Sequence, residues 1–308
     1  MSKIAISVGD LNGIGVELIL LNHKQVGSLC EPVYCVSEGM LGQASERLEI
    51  AVPKDMTLSP PPSEDFTICP SEIDPVSGAY SFASFAYAVE LAREGEVDSV
   101  LTMPIHKKAW ELGGVSYKGH TDYLSQLFGK QGIMMLGCEK MFVALFTDHI
   151  PLSRVPESIQ YDKLRDFMLR FHSSTQADKI AVLGLNPHSG DFGVLGDEER
   201  EITKAIASCN ETLGSAVFEG AIVPDIAFAP INRAKFTHYI AMYHDQGLAP
   251  LKSLYFEESI NVTLDMPIVR ASVDHGCAFD IAYNSTHPKS SKSYLNAVQY
   301  LLAQELLC

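Results

Sequence analysis

Three histidines in this chain share one local grammar. In MFVALFTDHIPL, KIAVLGLNPHSG and HYIAMYHDQG an apolar run gives way to a polar tip, and the tips carry His149, His188 and His244. Ligands of open α/β sheets bind beyond the carboxyl ends of strands. Three neutral imidazoles meeting there would hold a divalent ion and leave positions open for substrate. The spacing is far looser than that of H-E-x-x-H. A lone histidine at a strand end more often caps a turn or faces water, so the inference rests on the threefold repetition. Asp148 and Asp245 adjoin two of the three. They are placed either to orient the rings or to cap the helices that follow.

A second set of residues suits an anion. Gly119-His120-Thr121-Asp122 precedes an amphipathic run, Tyr123–Phe128, and the amides of a helix start beside a histidine suit phosphate or carboxylate. The plainer alternative is that Thr121 or Asp122 is an N-cap. Lys252 closes HDQGLAPLK, Asn261 opens NVTLDMPIVR and Arg270 ends it. Arginine grips phosphate as a fork and lysine as a point charge. Such a density of cations counts for more in a chain with 38 acidic and 23 basic residues and a net charge of −15. His106 and Lys107 follow the run VLTMP in the same manner and border the same chemistry. The loop Gly9-Asp10-Leu11-Asn12-Gly13-Ile14-Gly15 is either a phosphate loop or a tight turn that needs small residues. It is neither G-x-G-x-x-G nor a loop ending in G-K-[ST], so no nicotinamide site is legible from motif alone.

The elements that must position these groups alternate. Strands are predicted at Lys3–Val8, Pro32–Val36, Ser99–Met103, Phe142–Phe146, Lys179–Leu185 and His238–Tyr243. Helices are predicted at Val16–Lys24, Phe82–Glu94, Ile159–His172, Asp197–Thr212 and Lys292–Leu307. That order predicts an α/β fold on a mostly parallel sheet, with several strands apolar on both faces. A chain of 308 residues favours two domains over one. The proline-rich stretch Val52–Asp65 predicts an edge or surface connection. Seven cysteines without a C-x-x-C pair fit a reducing compartment, Cys35 and Cys138 as core residues. The opening MSKIAISVGD enters a strand at once, which predicts a cytoplasmic protein without signal peptide or membrane span. No basic stripe exists for nucleic acid.

Taken together, SVGDLNGIGVE, LTMPIHKKA, KGHTDYL, FTDHIPL, GLNPHSGD, AMYHDQGLAPLK and NVTLDMPIVRASVDHGCAFDIA resemble the 4-hydroxythreonine-4-phosphate dehydrogenases of pyridoxal phosphate (vitamin B6) biosynthesis. The resemblance implies the isocitrate/isopropylmalate dehydrogenase-like fold, two domains with the active-site cleft between them. The cofactor-binding domain would be 1–120 with 265–308, and the metal, substrate and dimerisation domain 121–264. It implies His149, His188 and His244 as ligands of one divalent metal (zinc, magnesium or cobalt), and His120, Thr121, Lys252, Asn261 and Arg270 as substrate residues. Gly13, Gly15, His275, Gly276 and Asp280 would meet NAD or NADP. The assembly implied is a homodimer whose site is shared between subunits. Two stretches depart from the family pattern: Leu11, Asn12 and Val16 replace Pro, Ala and Pro in the first loop, and YNSTHPKS replaces a GKGKAD-like run. The segment Tyr283–Ser290 is then a cofactor loop or a surface insertion.

The implied reaction oxidises 4-phosphooxy-L-threonine to 2-amino-3-oxo-4-phosphooxybutanoate, which decarboxylates to 3-amino-1-hydroxyacetone phosphate. Either Asp245 or Lys252 serves as general base. The nearest alternative is a sister dehydrogenase of a phosphorylated sugar acid, 4-phosphothreonate or 4-phosphoerythronate. A metal-dependent hydrolase or lyase and a non-catalytic phosphometabolite binder are the more distant classes.

Overall fold

The structure, a computed structural model, describes residues 1–305. Eleven strands run in chain order: β1 Lys3–Ser7, β2 Glu31–Cys35, β3 Thr57–Leu58, β4 Ser99–Thr102, β5 Ile133–Cys138, β6 Met141–Leu145, β7 Ile180–Leu183, β8 Phe218–Ile222, β9 His238–Ala241, β10 Ile260–Leu264 and β11 Val269–Val273. All six predicted strands are present, and helices flank a mostly parallel α/β framework. The predicted last helix is found as Lys292–Glu305; its predicted end at Leu307 lies outside the described residues.

The chain forms two compact units. The first comprises Met1–Lys130, Ile260–Val262 and Met266–Cys308, the second Gln131–Ser259 and Thr263–Asp265. In the first, the strand order is β3-β2-β1-β4-β11-β10, with β3, β2, β1, β4 and β11 parallel to their neighbours. The proline-rich stretch supplies β3 at the edge of this order, where a missing ladder donor costs least. In the second unit the order is β5-β6-β9-β7-β8. Here β5 and β6 form an antiparallel hairpin, and β6, β9, β7 and β8 are parallel in turn. Strands β4, β6 and β7 are buried along their whole length, as strands covered on both faces must be.

The sequence reading sets the first domain crossing at residue 120, whereas the contacts carry the helix His120–Phe128 into the first unit. The reason is packing. Leu124, fully buried, joins Phe85, Val89, Val100 and Trp110 in one core, with Tyr123 and Phe128 against it. Burying one leucine contributes roughly 1.5–3 kcal/mol, enough to fix the helix to that core. The second unit has its own core around Val143, Leu145, Ala181, Tyr239 and Leu251.

Candidate active site

The first unit holds four of the five expected substrate residues: His120, Thr121, Asn261 and Arg270. Arg270 on β11 is 2% exposed. Its guanidinium donates to Thr102 Oγ1 at the end of β4 (2.5 and 3.1 Å) and to His120 Nδ1 (2.9 Å). Burial pulls the guanidinium down to about 9, still charged at neutral pH. Because arginine has only donors, His120 Nδ1 must accept, so the neutral ring carries its proton on Nε2. Burial, then the charges of Arg270 and Lys107, hold His120 well below the usual histidine range. The rings of Phe85 and Trp110 meet it edge-on at 4.5 and 5.5 Å.

His120 Nε2 is buried without a hydrogen-bond partner, and so is Asn261 Oδ1 on the strand beside β11. A buried polar atom left unpaired costs about 1–3 kcal/mol; here an orphaned N–H donor stands beside a buried cation. Neither Thr121 nor Asp122 is the N-cap. The helix begins at His120 behind Gly119, and Asp122 Oδ2 reaches back to accept the amide of Lys118 at 2.9 Å.

The second unit holds His149, His188, His244, Asp245 and Lys252. The histidines follow the carboxyl ends of β6, β7 and β9, three strands that are adjacent and parallel in the order β6-β9-β7. Two residues invisible to the sequence reading stitch these tips together. Thr147 Oγ1 donates to the Met242 carbonyl at 2.7 Å, tying the His149 tip to β9. Gln246 accepts the Met242 amide at 2.7 Å and donates to the Gly184 carbonyl at 2.7 Å, tying β9 to the tip that leads to His188. Glu199, buried, then accepts the amides of Leu185 and Asn186 at 2.9 and 2.6 Å.

His149 and His244 are brought together, their ring centroids 5.7 Å apart. Two imidazoles on one tetrahedral ion, with metal–nitrogen bonds of about 2.0–2.1 Å, have centroids ~5 Å apart, so this pair fits an ion. Asp245 Oδ1 lies 2.6 Å from His244 Nδ1 and Asp148 Oδ2 3.5 Å from His149 Nδ1. Asp245 thus holds the His244 ring, and neither carboxylate is a helix N-cap: Pro151 stands before Leu152–Arg154 and Tyr243 before His244–Tyr255. His188 opens a run of six residues with positive φ, His188–Gly193. Among the described residues no three His, Cys, Asp or Glu side chains are grouped closely enough to hold an ion.

The first loop makes a poor phosphate cradle, because four of its seven amides are already used. Asp10 N donates to Pro104 O, Gly13 N to Asp10 O, Ile14 N to Cys277 O, and Asn12 N to Asp10 Oδ1. Gly9, at φ +68°, lies so near the Pro104 carbonyl that a β-carbon would stand 2.3 Å from it. Gly13 and Gly15 have the same kind of packing reason, facing Cys277 and the Val8 carbonyl. Of the expected cofactor residues, Gly276 faces open space and Asp280 is exposed, while His275 is half-buried.

The departures from the family pattern hold one another. Asn12 accepts from the Cys69 amide at 2.9 Å and donates to the Glu72 carbonyl at 3.0 Å. Tyr283 donates to the Leu11 carbonyl at 2.7 Å. Lys289 pairs with Glu17 at 3.0 Å, both nearly buried. The segment Tyr283–Ser290 is thus moored to the first loop and first helix.

With this geometry in hand, the comparisons are decisive. The family model of the pyridoxal phosphate biosynthetic protein PdxA matches residues 28–301. The chain belongs to the PdxA family. It is 54% identical over 301 residues to the 4-hydroxythreonine-4-phosphate dehydrogenase of Sulfurimonas denitrificans, covering 98% of this chain and 97% of that protein. It is 50% identical over 304 residues to the enzyme of the same name from Helicobacter acinonychis, covering 97% of each. Among solved structures, the 4-hydroxythreonine-4-phosphate dehydrogenase of Klebsiella pneumoniae superimposes with a TM-score of 0.80 at 29% identity, covering 98% of both chains. The family's fold therefore extends over nearly the whole chain, 98% of it in that superposition.

Proposed function

We propose that this chain is an NAD-dependent dehydrogenase, with NADP as the possible substitute, that oxidises the 3-hydroxyl of 4-phosphooxy-L-threonine. The product, 2-amino-3-oxo-4-phosphooxybutanoate, loses carbon dioxide to give 3-amino-1-hydroxyacetone phosphate. The observation that carries this reading is the buried Arg270–His120 pair with its unpartnered Nε2–H, an anion receptor in a family whose relatives bear that enzyme name.

In this reading Arg270, His120 and Thr121 bind the anionic end of the substrate, with Asn261 and Lys252 as further contacts. Arg270 fixes the His120 tautomer, so the ring presents a donor and never an acceptor. One divalent ion (zinc, magnesium or cobalt) would be held by His149, His188 and His244, and when bound it acts as a Lewis acid on the substrate oxygens. Asp245 orients the His244 ring. Its carboxylate being engaged there, Lys252 on the same helix is the better candidate for accepting the hydroxyl proton. NAD, which takes the hydride, would lie against Gly276, His275 and Asp280, with Gly13 and Gly15 behind.

A homodimer with a shared site belongs to the same proposal. Phe192, Val194 and Leu195, beside His188, are wholly or largely exposed, a patch that a second copy would cover. No helix among the described residues is long and apolar enough to cross a membrane.

The test is NADH formation from 4-phosphooxy-L-threonine and NAD, with and without prior chelation of divalent metal. Metal-dependent NADH supports the whole reading. No NADH from folded, metal-loaded protein moves the substrate to 4-phosphothreonate or 4-phosphoerythronate, and failure on those as well removes the dehydrogenase.

A further inference from the structure

Lys107 is the first residue of the helix Lys107–Leu112. A β-carbon placed at Gly119 would stand 3.8 Å from Lys107 Cε, so the lysine lies along the N-terminal end of the nine-residue helix His120–Phe128. Its charge reaches the His120 ring, after burial and Arg270. Its neighbour Lys108 pairs with Glu111 at 3.0 Å, yet among the described residues no carboxylate pairs with Lys107. Two cations and a helix N-terminus are thus set around one buried, unpartnered N–H in a chain of net charge −15. Like charges so gathered repel until an anion arrives.

We infer that Lys107 is a specificity-determining residue of this site, the exposed cation that distinguishes a phosphate dianion from a monoanion. Arg270 and the His120 Nε2–H form the buried floor, and Lys107 closes the outer side as a mobile point charge. A carboxylate is satisfied by the floor alone. A phosphate monoester carries a second charge and a third terminal oxygen, and these fall to Lys107. The inference rests on the reading above that this unit holds the substrate's phosphate, and it adds which residue selects for it.

The experiment measures inorganic phosphate affinity by calorimetry on the full chain, and steady-state kinetics with 4-phosphooxy-L-threonine, for wild type, Lys107→Gln, Lys107→Arg and the control Lys108→Gln. Lys107→Gln should weaken phosphate about tenfold and raise KM in proportion while kcat stays within twofold. Lys107→Arg should restore most of the loss, and Lys108→Gln should change neither quantity. Phosphate affinity of Lys107→Gln within twofold of wild type overturns the inference, as does an equal loss in Lys108→Gln or a wild type that binds no phosphate at millimolar concentration. Phosphate binding that depends on Lys107 without any turnover would sink the substrate reading and leave the anion site standing.

Discussion

Around Arg270 the first unit spends interior space on polarity: the guanidinium, Thr102 and the His120 ring are wedged among Phe85 and Trp110. The histidine tips of the second unit lie in water instead, with the side chains of His149 and His244 64% and 40% exposed. The first site is shaped before any ligand arrives, because packing fixes each rotamer and a hydrogen bond fixes the tautomer. In the second, Thr147 and Gln246 bring the backbone tips together, but no packing encloses the exposed rings. The contrast teaches a division of labour: the fold sets the Arg270–His120 pair in advance, whereas at the proposed metal site an ion would have to draw the rings together.

The sharpest break of this comparison is at the exposed site. If the three tips meet on one ion, His188→Ala should abolish most turnover, by ~10³-fold, as loss of several kcal/mol of Lewis-acid stabilisation requires. It should leave the thermal midpoint unchanged, since the ring contributes nothing to the core. Metal titration by calorimetry with parallel NADH assays checks both. Wild-type turnover at limiting metal would remove His188 from the site.

At the buried site the same kind of substitution should act differently. Arg270→Met should raise KM for the phosphorylated substrate by roughly 30- to 100-fold, about 2–3 kcal/mol for a buried charge pair. Stability should stay within about 2 kcal/mol of wild type, because relief from burying a cation offsets the hydrogen bonds lost by Thr102 and His120. Unfolding in urea and substrate kinetics separate the two quantities. A collapse of stability with KM unmoved would make Arg270 a structural residue.

The same contrast governs what could be read from the sequence. Strand-end histidines are visible because an apolar run stops at a polar tip, and the six predicted strands follow from runs buried on both faces. Gln246 and Thr147 are invisible, since their importance lies in carbonyls more than sixty and ninety residues away. The helix predicted to begin at Phe82 begins at Pro75. Its start signal is Asp74-Pro75, with Asp74 accepting the Ser77 amide at 2.8 Å, a cap that hydrophobic periodicity does not register. The run NVTLDMPIVR looks continuous but is split into β10 and β11 by Asp265 at φ +59°. In the first loop, glycines suggestive of a phosphate cradle turn out to serve close packing, and only the positions of Pro104 and Cys277 reveal it.

The smallest expected effect compares one buried histidine in each unit. His238 opens β9, its ring packed by Phe142 and Phe171 at 5.5 and 6.2 Å, with Thr237 Oγ1 at 3.0 Å from Nδ1. Burial lowers its pKa from 6.5 to about 4. His120 is lowered too, by burial first and then by two cations. In both, the unfolded chain binds a proton that the native ring refuses, so stability is full above pH 6.5 and falls as the solution is acidified. For His238 the loss should run from pH 6.5 to about 4 and level off below it, on the order of 3 kcal/mol in all. His238→Gln should flatten that part of the stability curve, measured by urea unfolding at a series of pH values. Phosphate should not alter the His238 contribution, whereas at His120 a bound anion opposes the two cations, favours the protonated ring and should shrink the acid loss. A curve unchanged by His238→Gln would mean that the ring takes up its proton as readily in the folded chain as in the unfolded one.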